Sequence, residues 1–201
     1  AREDQVLVNM SRVIGVNATD AVALSHAEEI AQLQILYLAD FLIRYIPGFE
    51  KAYLMASSHT LGVRETRRLV GRYVLRGREA IECVPFPDTV AQGSYMIDIH
   101  DPQGKRKAIG GELKKPCYSI PYRCLLPRTV ENLLVCGRCI SVDHIAHAST
   151  RIQGTCILTG QAAGTAAAMA KNQRWKSAHV APEALQQNLR MDGVHFYHEA
   201  V

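Results

Sequence analysis

The sequence predicts an α/β protein, and three observations carry that prediction. A helical repeat runs through residues 26–45, a continuous apolar run at 130–141 reads as a buried strand, and a helix of small residues begins near Thr155. Strand and helix patterns mixed in this way point to helices layered against a sheet.

The first helix is announced by its spacing. In "NATDAVALSHAEEIAQLQILYLADFLIRYIPG", Ile30, Leu33, Tyr37, Phe41 and Tyr45 recur at the period of one helix face. Ser25 followed by Glu28 matches a capping box, and Pro47-Gly48 closes the run. A second helix is expected over "GVRETRRLVGRYVL" (62–75), where Arg64, Glu65, Arg67 and Arg68 crowd into little more than one turn and Arg64, Glu65 and Arg67 suggest a bracing ion-pair network.

Strand-like sequence follows. "SYMIDIHD" (94–101) alternates Tyr95, Ile97 and Ile99 with Met96, Asp98 and His100, the mark of a half-buried strand. "DPQGKRK" is a turn, and "CYSIPYRCLLP" is extended and broken by Pro121 and Pro127. "VENLLVCGRCIS" then reads as a short buried strand, because strands covered on both faces appear as continuous apolar runs. No helical pattern is expected again until after residue 150.

The next helix, "GTCILTGQAAGTAAAMAKN", is built from glycine and alanine. A glycine inside a helix costs about 1 kcal/mol relative to alanine, so close approach to a sheet or a ligand is the expected compensation. "APEALQQNLRMDG" predicts a terminal helix with Pro182 in its first turn.

Composition narrows the function classes. Of 201 residues, 48% are apolar and 21% charged, as in ordinary globular chains. No apolar run approaches the roughly 20 residues of a membrane-spanning helix, so no membrane association is expected. The net charge of +4 comes from 23 basic and 19 acidic residues that are scattered, and there is one tryptophan. Nucleic acid is therefore not an expected partner. Six cysteines, at 83, 117, 124, 136, 139 and 156, are expected to be reduced and mostly buried, which favours a cytoplasmic setting. The opening "AREDQVLVNMSRV" has neither an initiator methionine nor a signal-peptide pattern, so a fragment or processed chain is expected.

Cys136 and Cys139 invite a dithiol reading. A redox pair needs an exposed, low-pKa thiol at a helix N-terminus, whereas the pattern puts Cys136 at the end of a strand and Cys139 in the following turn. No second pair stands at zinc spacing, so no metal is expected. The structural reading is preferred. A buried strand, Gly137, a loop and a small-residue helix is instead the layout of a nucleotide-cofactor site, where glycine admits close backbone approach and a helix N-terminus offers N–H groups to an anion.

The stretch "IPYRCLLPRTVENLLVCGRCISVDHIAHASTRIQGTCILTGQAAGTAAAMA" resembles the C-terminal part of the FAD-dependent oxidoreductase family. The "NLLVCGRCIS" and "GTCILTGQAAGTAAA" blocks carry the likeness most specifically, and it extends over most of residues 20–170. The resemblance implies FAD as cofactor and a Rossmann-like FAD/NAD(P)-binding fold related to succinate dehydrogenase and fumarate reductase flavoproteins. Residues 126–201 would be the C-terminal portion of the FAD-binding domain, and residues 1–125 part of a strand-and-helix substrate domain. It also implies hydride transfer between a small organic substrate and the flavin.

Residue by residue, the match puts Gly137, Arg138 and Ser141 along the ribityl and pyrophosphate. Gly154, Thr155, Cys156 and Ile157 would point amide groups at the flavin pyrimidine edge. His147 and Arg151, four apart in "HASTR", correspond to residues that bind substrate in dicarboxylate-using relatives; an arginine bracing its loop is the competing reading. His100 and Arg123 are candidates to complete the substrate pocket, and His144 to sit near the flavin. One departure stands out: no G-x-G-x-x-G occurs in these 201 residues. The expected partner is therefore a missing N-terminal FAD-binding half or a separate subunit. Two other classes remain open, a non-catalytic binding module of the same fold and a dithiol redox protein.

Overall fold

The computed structural model describes residues 2, 4–99, 109–173 and 176–197. His100, a candidate for the substrate pocket, lies outside the described residues. The chain divides by contacts into two compact units, Ala1–Thr66 and Arg67–Val201. This division differs from the expected one at 125/126, which concerned the roles of the two parts.

The first unit is organised by α1 (Ala21–Tyr45). Its N-cap is Asp20, whose side chain accepts from the Val22 and Ala23 amides at 2.9 and 3.3 Å, rather than Ser25. A carboxylate there satisfies donors that the first turn leaves unpaired. Ser25 instead donates back to the Ala21 carbonyl, and Glu28 accepts from the Leu61 amide. The buried face is Ala27 and Ala31, while Leu33, Tyr37, Phe41 and Tyr45 of the expected stripe are exposed. Small side chains let neighbouring loop backbone approach that face; Gln34 accepts from the Arg12 amide at 2.9 Å.

The second unit opens with residues 67–75, and no helix forms over 62–75. The segment is extended and threaded between two others. The Leu69 amide donates to Cys139, Arg72 to Leu126 and Leu75 to Ser141, while Arg128 and Asp143 donate back to Val70 and Leu75. Single bridges join Gly71 to Pro127 and Leu75 to Val142. These non-local hydrogen bonds satisfy the backbone and override the local helical spacing.

α2 (Gly77–Glu82) follows, then β1 (Thr89–Gly93), β2 (Ile97–Ile99), β3 (Ile109–Gly111) and β4 (Tyr118–Pro121). β1 pairs antiparallel with β4, with Gly93 opposite Tyr118 and an irregularity between Thr89 and Ala91. β2 pairs antiparallel with β3. The described architecture is thus mixed helix and small sheet, consistent with the α/β class.

The run 130–136 is not a buried strand. Val130 and Leu133 are exposed, Asn132 takes φ +55°, and the Val135 amide bonds the Leu125 carbonyl at 2.9 Å without a ladder forming. Three helices complete the unit: α3 (His144–Thr150), α4 (Gln153–Asn172) and α5 (Pro182–Met191). α3 lies where no helix was expected, and Asp143 caps it through the Ala146 amide.

The core joins Leu75, Val90, Ile120, Leu125, Ile140, Leu185 and Leu189. α4 meets it through Ala162, Ala163, Ala166 and Ala170, so alanine makes the close approach to β1 and α5. A Cβ at Gly160 or Gly164 would meet nothing within 4 Å. The glycines of α4 face open space rather than the sheet.

Candidate cofactor site

Gly137 sits where the chain stops being extended and enters a short 3-10 turn, Gly137–Cys139. Its φ of +74° lies in the left-handed region, which side chains with a Cβ rarely adopt. The Gly137 amide donates to Thr159 Oγ1 at 3.0 Å, and that hydroxyl donates to the Cys156 carbonyl at 3.0 Å. Thr159 is fully buried, so the glycine turn is fastened to the first turns of α4. Sequence reasoning missed Thr159. Its signal was a threonine one turn beyond Cys156, on the side of the helix facing the turn.

The N-cap of α4 is Ile152, and among the described residues no side chain caps the helix. The Cys156 amide donates to the Ile152 carbonyl at 2.9 Å, and Ile157 lies a residue deeper in the helix. The expectation that their amides face a cofactor is thereby corrected, since an α-helix leaves only its first amides without intrahelical partners. Those here belong to Gln153, Gly154 and Thr155. Gly154 is exposed, and a Cβ on it would meet nothing within 4 Å. The Ile157 side chain is 69% exposed beside it.

Arg138 is exposed on the turn, and its charge pulls against the burial that raises the Cys156 thiol pKa. Cys156 is half-buried, with Sγ 3.6 Å from the Thr150 carbonyl. All six cysteines are free; Cys136 and Cys139 are the exposed ones, whereas Cys83, Cys117 and Cys124 are buried. The Thr150 hydroxyl is buried without a hydrogen-bond partner among the described residues.

Behind the helix start lies a polar relay. Ser149 Oγ donates to the Tyr95 carbonyl at 2.5 Å, so Tyr118 is the donor in its 2.8 Å bond to Ser149 Oγ. The Thr155 hydroxyl bonds the same phenol, and burial pushes the Tyr118 pKa up to about 12. Tyr118 stays protonated and holds α3, α4 and β4 in register.

Ser141 was expected along the cofactor tail, but it is fully buried. Its Oγ accepts from the Gly71 amide at 3.0 Å, and its own amide donates to Cys124. That geometry locks the 67–75 segment and leaves no face for a ligand. His144 begins α3 and is exposed, whereas His147 is buried in the same helix. Arg151 is the C-cap of α3, with Nη2 3.4 Å from Asp98 Oδ2 and the two side chains 14% and 20% exposed. One helical turn therefore brings His147 and Arg151 together at the start of α4.

Arg123 lies elsewhere. Its Nε and Nη2 grip Asp88 at 2.8 and 3.1 Å, and its guanidinium covers the Tyr73 ring at 4.7 Å. Tyr73 in turn donates to Glu79. Among the described residues none of its hydrogen bonds reaches the glycine turn or α4, and the fork is a brace between the β1 entry and the 3-10 turn Tyr122–Cys124.

A left-handed glycine turn fastened to α4, an exposed arginine on that turn and a helix start without a side-chain cap are features able to receive an anionic group. The family model described as FAD dependent oxidoreductase matches residues 3–189, and the chain belongs to that family. It is a flavoprotein oxidoreductase whose cofactor is FAD. No curated protein and no solved structure matches the chain. No described helix is long and apolar enough to cross a membrane.

Proposed function

We propose that the chain carries the C-terminal wall of the FAD site in an oxidoreductase that moves a hydride between a small organic substrate and flavin. The observation that carries this reading is the uncapped start of α4, with open space at Gly154 and the glycine turn fastened alongside. The residues fit the group: free amides at an exposed helix terminus and a cationic Arg138 suit the electron-rich flavin edge and its diphosphate tail. Bound there, FAD would supply the two-electron chemistry, and the protein would supply orientation and electrostatics.

In this reading the Gln153, Gly154 and Thr155 amides hold negative charge through hydrogen bonds and the helix dipole. Gly137 and Arg138 hold the tail. Arg151, steadied by Asp98, orients an anionic substrate group, and buried His147 lies one turn away to position it or hold its proton. Arg123 and Ser141 support the scaffold. Residues 126–201 then act as the cofactor side and residues 1–125 as the substrate side. The G-x-G-x-x-G half comes from further polypeptide or a separate subunit.

Gly154→Asp tests the helix terminus, because the two consequences have opposite signs. A carboxylate in the first turn stabilises the helix by about 0.3–1 kcal/mol. The same charge repels an anionic ligand and should weaken FAD binding about tenfold, equivalent to ~1.4 kcal/mol. The midpoint of urea unfolding without flavin, set beside FAD affinity from titration of its fluorescence, reads both. Unchanged FAD affinity in a stabilised variant would remove the α4 terminus from the cofactor site.

A further inference from the structure

We propose that Cys156 and the two thiols of the glycine turn are an oxidisable cluster in which a hydroperoxide closes a disulfide between α4 and the turn. Half of the six cysteines converge here, and the meeting point is defined by backbone. A Cβ built on Gly137 would lie 4.0 Å from Cys156 Cβ, so the glycine that the two turn cysteines flank packs directly beside the third. Cys136 and Cys139 flank that glycine at one residue before and two after. Both are exposed, on a short turn held against α4 by the Gly137–Thr159 hydrogen bond.

The chemistry balances in two steps. A turn thiolate attacks the hydroperoxide, giving a sulfenic acid and releasing the alcohol, or water when the oxidant is hydrogen peroxide. The Cys156 sulfur then attacks the sulfenyl sulfur, the S–S bond forms, and water leaves. Two thiols lose two hydrogens, and one peroxide bond is reduced. Burial raises the Cys156 pKa, which makes it the less reactive thiol toward peroxide and leaves the first step to the exposed turn. The other three cysteines are buried and serve as internal controls.

The bridge would pin the Gly137 turn to the first turns of α4, reinforcing the Gly137–Thr159 hydrogen bond covalently. The inference stands on the placement of the three cysteines around Gly137 and does not depend on where FAD lies.

Tryptic cleavage separates the three thiols, because Arg128, Arg138, Arg151 and Lys171 bound peptides 129–138, 139–151 and 152–171. The full chain, both as isolated and stripped of flavin, is treated with hydrogen peroxide, alkylated and digested without reductant. The expected product joins 152–171 to 129–138 or to 139–151, with the loss of two hydrogens, in at least one of the two samples. Cys156→Ser should abolish the product. A bridge between 129–138 and 139–151 in its place, or no bridge in either sample, overturns the proposal.

Discussion

Two arginines show how differently one residue type can be held. Arg123 is fixed in a bidentate fork at 2.8 and 3.1 Å, near the ideal for charge-assisted pairs. Arg151 reaches Asp98 at 3.4 Å, a longer contact than either arm of the Arg123 fork. Arg151→Gln should lower kcat/KM by about tenfold or more, a loss of ~1.4 kcal/mol in the transition state, with FAD content unchanged. Asp98→Asn removes the same ion pair while keeping the guanidinium, and should hold kcat/KM within a few-fold. Equal losses in the two variants would make Arg151 a brace and nothing more. Gly137 was readable in the sequence because an apolar run that ends in glycine signals a backbone reversal. Ser141 was not, because its hydroxyl is claimed by Gly71, seventy residues away. No local pattern encodes such a pairing.

At the scale of elements, periodicity succeeded where a helix carries its own signal. α1, α4 and α5 follow from apolar spacing, small-residue runs and Pro182. It failed at 62–75, where helical spacing is overruled by hydrogen bonds to residues 126 and 139–143. It failed again at α3, a seven-residue helix too short for a period to emerge, although Asp143 stood ready as a cap. The sign of one substitution separates the two descriptions of the 67–75 segment. In a helix, Gly71→Ala would stabilise by about 1 kcal/mol. Here the added Cβ falls 2.5 Å from Ser141 Cβ and 2.8 Å from its Oγ, so the variant should lose about 1–3 kcal/mol through overpacking. Equilibrium unfolding in urea reads the sign directly, and a stabilised Gly71→Ala would contradict the threaded segment.

Across the whole molecule, the class and cofactor were legible because contiguous blocks around Gly137 and α4 carry them. The sheets were not, because β1 and β4 are short and separated by a long stretch of chain, and strand pairing is a non-local choice. That choice determines which titrating groups the second unit buries, and so its response to base. Burial pushes Tyr118 and Tyr122 up to about 12 from an ordinary 10.0, and Cys124 to about 12 from 9.0. All three are neutral when protonated, so the folded state keeps protons that the unfolded chain releases as pH rises past 9 to 10. Their contribution is fully present below pH 9, falls as pH climbs through that range, and is lost by about pH 12. Tyr122→Phe is the selective test. It forfeits the hydroxyl's 2.8 Å bond to the Ser177 carbonyl, and so is less stable at neutral pH, but it removes one proton from the difference between states. Unfolding free energies measured between pH 9 and 11 should fall less steeply in Tyr122→Phe than in the parent, narrowing the gap between them as pH rises. Parallel curves would mean that the phenol titrates alike in the folded and unfolded chain, which its burial against Ser177 forbids.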